Sequence, residues 1–427
     1  MRKKHLQILT LTIFFLLLLT LPAFAAEKVK VSVNGEQAIV DTYLQNGVTM
    51  IGVNSFARLS GADIEYPSVN SVKIIKNDIE LVMTLNQKEA LLGEKKILLP
   101  AVPFKSGEEI YIPLRPASDA CGYEITWNSP EETVALKINE TRDGMTPQEL
   151  LLKSNQVVQD INTYSMEGSL EMKMDITANG KPEAVPNSIN TTLVGQIQSK
   201  PMQVHIIQKM MLPKTLDVEM PEMIVETYMT EDKMYLKAPE QEWTVQDMPF
   251  SPEFWQKQQD IQSNPLKAAE QMAEMGILLN YGNDTIVEDK EYYVVNATLD
   301  MNKFQEGYQK VMEQALQGMP APDNQEQTQQ MLQKLLDSAQ MDYYYTVYID
   351  KKTLLNDLVK FDVKLNFIME LPEIANEETG RTLPQEIKME MHMIGQFTIK
   401  DAGKPFVAPD VKNAVPLQQL IPPAQAE

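Results

Sequence analysis

Two stretches of the chain alternate apolar and polar residues for the length of an unusually long strand. Within residues 163–176, Tyr164, Met166, Gly168, Leu170, Met172, Met174 and Ile176 fall on one side. Thr163, Ser165, Glu167, Ser169, Glu171, Lys173 and Asp175 fall on the other. Near the end, Ile387, Met389, Met391, Met393, Gly395, Phe397 and Ile399 oppose Lys388, Glu390, His392, Gln396 and Thr398. A period of two sends successive side chains to opposite faces, so each stretch predicts a strand with one apolar face. Shorter runs of the same kind cover residues 202–210, 343–349 and 361–369.

Helical signals interrupt these strands. Thr146-Pro147-Gln148-Glu149 reads as a helix start: threonine as N-cap, proline at the first helical position, glutamate returning to the cap. Leu150, Leu151, Val157, Val158 and Ile161 then share a face. Ser251-Pro252 and Asn264-Pro265 mark a further pair of helices, the second stopping near Gly276. Another helix begins at Asp300 and is expected to bury Phe304, Tyr308, Val311 and Met312. One more covers residues 325–339. Long antiparallel strands with a few helices on one side predict an α+β layer fold over residues 146–401.

Before residue 140 the pattern changes to a repeat. "TMIGVNSFARLSGADIEYPSVNSVKII" and "IYIPLRPASDACGYEITWNSPEETVAL", 61 residues apart, each read as strand, short helix, strand, turn, strand. Gly61 matches Gly122, Ile64 matches Ile125, Tyr66 matches Trp127 and Ser68 matches Ser129. The short helices fall at 54–60 and 115–121, and the two glycines stand where a helix end needs a left-handed residue. Further upstream, Gly35-Glu36 matches Gly93-Glu94 in a predicted hairpin turn. Copies covering 28–85 and 86–140 are each too small to bury an apolar face alone, so they are expected to pack together.

Composition sets the compartment and removes several functions. Arg2, Lys3, Lys4 and His5 precede an apolar run at 6–21, and Ala23-Phe24-Ala25 supplies a small-x-small cleavage pattern, so residues 1–25 read as a secretory signal peptide. The run is short for a spanning helix. Ala26 stands where a lipoprotein signal needs cysteine, so no stable membrane anchor is expected after cleavage. Cys121 is the single cysteine, which excludes an intramolecular disulfide. Residues 27–140 carry 11 basic and 16 acidic side chains, so most of the net charge of −21 lies beyond them. An acidic surface of this kind repels phosphate backbones and excludes nucleic acid as a partner. Residues 402–427, rich in proline, read as a flexible tail.

The second copy, with Tyr111, Pro113, Leu114, Arg115, Gly122, Trp127 and Val134 in place, resembles the copper amine oxidase-like N-terminal domain of bacterial surface proteins. The first copy departs from that pattern at Gly52 and Val53. The resemblance implies a small two-repeat α/β attachment module over 28–140 without redox chemistry. His205 and His392, the histidines left after the leader, cannot form a three-imidazole copper site. Arg115 and Trp127 read as a structural salt bridge and a core tryptophan, with glycan or peptide binding as the alternative. The opening helix, the amphipathic strands and "YTVYIDKKTLLNDLVKFDVKLNF", with its Asp350-Lys351-Lys352-Thr353 turn, resemble the LolA/LppX-like group of envelope proteins. That resemblance implies a half-open antiparallel β-barrel covered by helices, whose concave face holds an acyl chain or lipid.

Of 26 methionines, 23 lie between Met145 and Met393. Three readings compete: core filling, a Cu(I) thioether site, and an adaptable apolar cavity. Period two points His392 away from Met389, Met391 and Met393, which disfavours copper. No P-loop, G-x-S-x-G, H-E-x-x-H, C-x-x-C or EF-hand spacing occurs. The expectation is a secreted or cell-surface, non-catalytic binding protein with no cofactor and no metal. Its apolar or lipid-like ligand is placed on Met172, Met174, Met389, Met391, Met393 and Phe397, and a cell-wall component is the other expected partner. The alternative is a structural or protein-interaction component of the envelope with a filled core.

Overall fold

The computed structural model describes residues 29–38, 40–183, 188–211, 222–239, 241–248, 257, 261, 265–317, 334, 338–370, 375–376, 381–382 and 386–417. The expected leader, the helix at Ser251-Pro252 and nearly all of 325–339 lie outside them.

In the first copy, strands β1 (Lys30–Val33), β2 (Glu36–Ala38), β3 (Thr42–Gln45) and β4 (Val48–Gly52) lead into helix α1 (Val53–Ser60). Strands β5 (Asp63–Ser68), β6 (Ser71–Lys76) and β7 (Ile79–Thr84) follow. The second copy repeats the plan with β8 (Glu89–Leu92), β9 (Lys95–Leu98), β10 (Phe104–Ser106), β11 (Glu109–Pro113), α2 (Leu114–Ala120), β12 (Glu124–Asn128) and β13 (Thr133–Lys137). Local chemistry sets the joints. Gly35 and Gly93 take φ of 93° and 57° in the matching turns, and Gly61 and Gly122 take 65° and 76° after the helices.

The copies do not stand side by side; they are interleaved. β1 pairs in parallel with β13, so the hairpin opening the first copy completes the sheet that closes the second. β4 pairs with β11 in the middle sheet, and β8 and β9 extend the sheet of β5, β6 and β7. One apolar core results, with Val31, Ile51, Phe56 and Ile74 from the first copy against Ile112, Leu114, Ala117 and Leu136 from the second. Trp127 is not part of that core. It stands 52% exposed on edge strand β12, where no further strand covers it. Arg115 is exposed too. Its guanidinium donates to the Ile125 carbonyl at 3.3 Å, and among the described residues it has no carboxylate partner.

Helix α3 (Pro147–Ile161) opens the second domain with a complete capping box between Thr146 and Glu149. The domain is one curled sheet of fourteen strands. The principal ones are β14 (Thr163–Ala178), β15 (Ser188–Gln198), β16 (Gln203–Met211), β17 (Met223–Thr230), β18 (Lys233–Lys237), β19 (Thr244–Asp247), β20 (Ile277–Tyr281), β21 (Lys290–Leu299), β22 (Gln340–Asp350), β23 (Leu358–Glu370), β24 (Glu386–Lys400) and β25 (Val415–Pro416). Their spatial order is β20-β21-β22-β23-β24-β14-β15-β16-β17-β18-β19-β25, so the two end strands do not pair and the barrel stays open. Between β22 and β23 the Asp350 carboxylate fixes the turn, accepting from the N–H groups of Lys352 and Thr353 at 2.8 Å. Helices α4 (Pro265–Glu274) and α5 (Met301–Gln317) pack together, closely enough at Gly307 that a Cβ would stand 2.7 Å from the Glu274 carbonyl oxygen. Phe304 and Tyr308 are half-buried and stack on each other; the side chains of Val311 and Met312 lie outside the described set.

The segment after residue 401, expected as a free tail, continues onto the outer face as far as it is described. The Phe406 ring lies 6.3 Å from Tyr228, Val407 N–H donates to Gln196 Oε1 at 3.0 Å, and Val415 pairs in parallel with Thr244. The Phe406 ring gives this proline-containing segment something to bury.

The first module docks on the outer face of the sheet at β20–β22. Leu278 packs against the module core, Arg58 pairs with Asp342, and Asn280 Nδ2 donates to the Arg58 carbonyl at 2.6 Å. Lys76, 1% exposed, donates to the Tyr281 carbonyl at 2.5 Å and pairs with Glu140 at 3.1 Å. Glu140 also pairs with Arg142 at 2.7 Å, and Arg142 lies over the Tyr281 ring and reaches Asp284. Buried charges are tolerated only when paired in this way.

Candidate functional site

Register builds the concave face row by row. Met174 stands opposite Met391, which is opposite Leu365 and then Met341. The next row is Met172, Met393, Val363 and Tyr343; then Leu170, Gly395, Phe361 and Tyr345; then Gly168, Phe397, Val359 and Val347. Met389 lies between Ile176 and Phe367. All six residues singled out from the sequence therefore share one face of adjacent strands β14 and β24.

The curl has a steric basis. A Cβ at Gly168 would stand 2.2 Å from the Phe397 ring, and one at Gly395 would stand 2.4 Å from the Phe361 ring. Each aromatic lies flat on a strand that only glycine allows it to approach, and the two rings stack 5.4 Å apart. Gly195, opposite Met166 on β15, extends this diagonal of missing side chains.

The two ends of the face differ. Toward the Asp350 turn, Leu150 and Leu151 of α3 close over Tyr281, Tyr293, Val295, Val347 and Ile349 in a dry cluster. Toward the other end, Met172, Met174, Met389, Met391 and Met393 are all partly exposed, and Phe397, in the row of Val347 at the α3 end, is partly exposed as well. Near the boundary stand three phenols, Tyr164, Tyr343 and Tyr345, with the rings of Tyr343 and Tyr345 stacked 6.2 Å apart. Burial pushes Tyr345 up to about 12 and raises Tyr343 and Tyr164 as well. The alternation in the sequence marks Tyr164 and the strand at 343–349 but no role for the phenols. The signal was there: "YYY" inside an alternating strand sends Tyr343 and Tyr345 inward and Tyr344 outward.

The histidines occupy the opposite face. His392 Nε2 lies 2.8 Å from Asp362, and His205 Nε2 lies 2.7 Å from Glu226. Neither ring can join the methionines. Among the described residues no group of three or more His, Cys, Asp or Glu could hold a metal ion. Among the same residues no helix is long and apolar enough to cross a membrane.

Two families match the chain, and their matches overlap over residues 146–178. Residues 32–136 and 96–178 match the family described as the copper amine oxidase N-terminal domain. Similar solved structures include the lipoprotein LppX of Mycobacterium tuberculosis, at 9% identity and a TM-score of 0.28, covering 62% of this chain and 98% of that one. LprF of Mycobacterium bovis is similar at 11% identity and a TM-score of 0.25, covering 62% and 96%. A putative outer membrane lipoprotein-sorting protein domain from Vibrio parahaemolyticus is similar at 10% identity and a TM-score of 0.18, covering 58% and 90%. No curated protein matches the chain. Residues 146–414, well over half of the 427, match a further family, and by that match the chain belongs to the family of unknown function DUF6612.

Proposed function

We propose that the concave face takes up an apolar or amphiphilic ligand between β14, β24 and β23. Met172, Met174, Met389, Met391, Met393 and Phe397 form the apolar floor. In this reading the chain is a non-catalytic binding protein, secreted or held at the cell surface, and the first module positions the sheet. The observation that carries it is the contrast along one face: α3 fills one end, while the methionine end stays partly open. Partly exposed methionines in continuous rows are costly to leave in water, and their flexible thioethers suit ligands of variable shape. Tyr164, Tyr343 and Tyr345 supply polar hydroxyls at the inner limit of the floor, which suits an amphiphile with a hydrogen-bonding group.

Native mass spectrometry of the protein from a bacterial secretor, followed by organic extraction, tests the reading. A bound apolar mass is expected, with Met174→Glu and Met391→Glu each weakening uptake at least about tenfold, since a carboxylate resists burial in an apolar site. A bare protein mass, together with no binding of fluorescent fatty-acid probes, would sink the proposal and leave a structural component with a self-filled face.

A further inference from the structure

The sheet carries its charges on one side only. On β14 the charged residues Glu167, Glu171, Lys173 and Asp175 all point to the outer face. Register carries that division from strand to strand. From β20 round to β19, no Asp, Glu, Lys or Arg among the described residues points to the concave face. The polar side chains on that face are uncharged, among them Thr191, Gln208, Thr227 and the phenols Tyr164, Tyr343 and Tyr345. A lipid anion drawn onto this face would find no counter-charge in the sheet, and an unpaired charge is costly to bury.

The phenols differ from ordinary core tyrosines. A desolvated hydroxyl normally finds a hydrogen-bond partner. Burial raises all three of these, yet among the described residues none of the three hydroxyls has such a partner. They also converge. Tyr164 stands on β14 and Tyr345 on β22, three strands away in the order of the sheet, yet Tyr164 and Tyr343 both add to the rise of Tyr345. The curl brings hydroxyls from opposite walls toward one another. Protonated phenols offer donors to any group that accepts. From the row of Leu170 and Tyr345 the apolar floor runs on to Ile176, about 20 Å of strand. The donors therefore lie at the inner end of the floor, and a polar group that reaches them is drawn inward instead of being left in water.

We infer that the ligand is an uncharged glycerolipid of the diacylglycerol type. Its acyl chains lie along the methionine rows, and its two ester carbonyls and free hydroxyl meet the phenols of Tyr164, Tyr343 and Tyr345. The same face discriminates against fatty acids and anionic phospholipids, whose carboxylate or phosphate would be enclosed without a cation. The inference rests on uptake of an apolar or amphiphilic ligand by the concave face, and adds the chemistry of the headgroup.

Competitive loading of the full chain tests it. The protein is exposed to an equimolar mixture of dioleoylglycerol, oleic acid, dioleoylphosphatidylglycerol and hexadecane on cyclodextrin, passed through gel filtration, and extracted for quantitation of each compound. Dioleoylglycerol should exceed either charged lipid at least about tenfold. Tyr343→Phe and Tyr345→Phe keep the ring, and each should lower the ratio of dioleoylglycerol to hexadecane about fivefold, the worth of one hydrogen bond. A merely structural role for the phenols would lower both compounds together and leave the ratio alone. Charged lipid retained as well as dioleoylglycerol, hexadecane retained alone, or a ratio unmoved by the two substitutions would overturn the inference and leave the concave face as a binding site. Retention of none of the four would defeat the reading beneath it as well.

Discussion

Among the described residues the first module encloses 23 apolar side chains in one buried cluster, whereas the far longer sheet domain gathers seven around α3. Both are rich in strands, and both present apolar faces. They differ in what lies opposite those faces. The module sets sheets and two short helices against one another from all sides, so a face has a partner wherever it points. The sheet domain has one curled layer, and among the described residues its helices cover only part of the inner side. Apolar patterning tells where a face is; the arrangement of layers decides whether it becomes core or surface.

The widest test of this contrast is a pair of truncations. Phe56→Ala, at a position 1% exposed, should cost about 3–5 kcal/mol in urea unfolding, enough to consume most of a small domain's stability. Met391→Ala should cost under about 1 kcal/mol, because that side chain is already partly in water. Equal losses would mean that the methionine end is ordinary core.

The junction comes next. Glu140→Gln leaves the Lys76 ammonium buried without its carboxylate and should destabilise the chain by roughly 3 kcal/mol. Burial already holds Lys76 below the free-lysine value of 10.5. The unfolded chain therefore binds the extra proton, and stability rises with pH through the window that ends near 10.5. Removing Glu140 should widen that window downward, which denaturant melts between pH 7 and 10 will show.

A smaller effect sharpens the account of the curl. Gly168→Ala should cost about 1–3 kcal/mol by forcing Phe397 off the strand, and it should lower uptake of an apolar probe in parallel. Stability lost without any change in uptake would separate the curl from the site.

The last test concerns Cys121, whose thiol is pushed by burial from 9.0 up to about 12. It should resist disulfide-exchange reagents at pH 8 until the module unfolds. The folded state keeps its proton longer than the unfolded one, so stability should fall by about 1 kcal/mol per pH unit from pH 9 toward 12. Cys121→Ala should remove the slope between pH 9 and 10, below the ordinary tyrosine value of 10.0 from which burial raises Tyr343 and Tyr345.

What was legible in the sequence were features decided within a few residues. The left-handed glycines, the Thr146–Glu149 capping box and the inward row of methionines all follow from local geometry, and the structure places them where the pattern does. Interleaving was not legible, because β1 carries the same alternation whether it pairs with its own copy or with β13. Trp127 misled for a related reason: it shares a face with Ile125, which reads as core, but nothing local marks β12 as the last strand of its sheet. The described part of the segment after residue 401 misled in the other direction, since proline suggested a free tail and the Phe406 ring and Val407 N–H supply anchors. At the concave face, alternation could gather the methionines but could not say where α3 would stop covering them.

The parallel pairing of β1 with β13 also sets an order in time. A chain that emerges residue by residue, from a ribosome or through a membrane pore, cannot seat its first strand until its last has appeared, about a hundred residues later. The first copy alone leaves Val31 and Phe56 without their partners from the second. Such long-range closure is slow relative to local hairpins. The module is thus held open while the chain is in transit, and it shuts only when the linker to the sheet domain has followed it out.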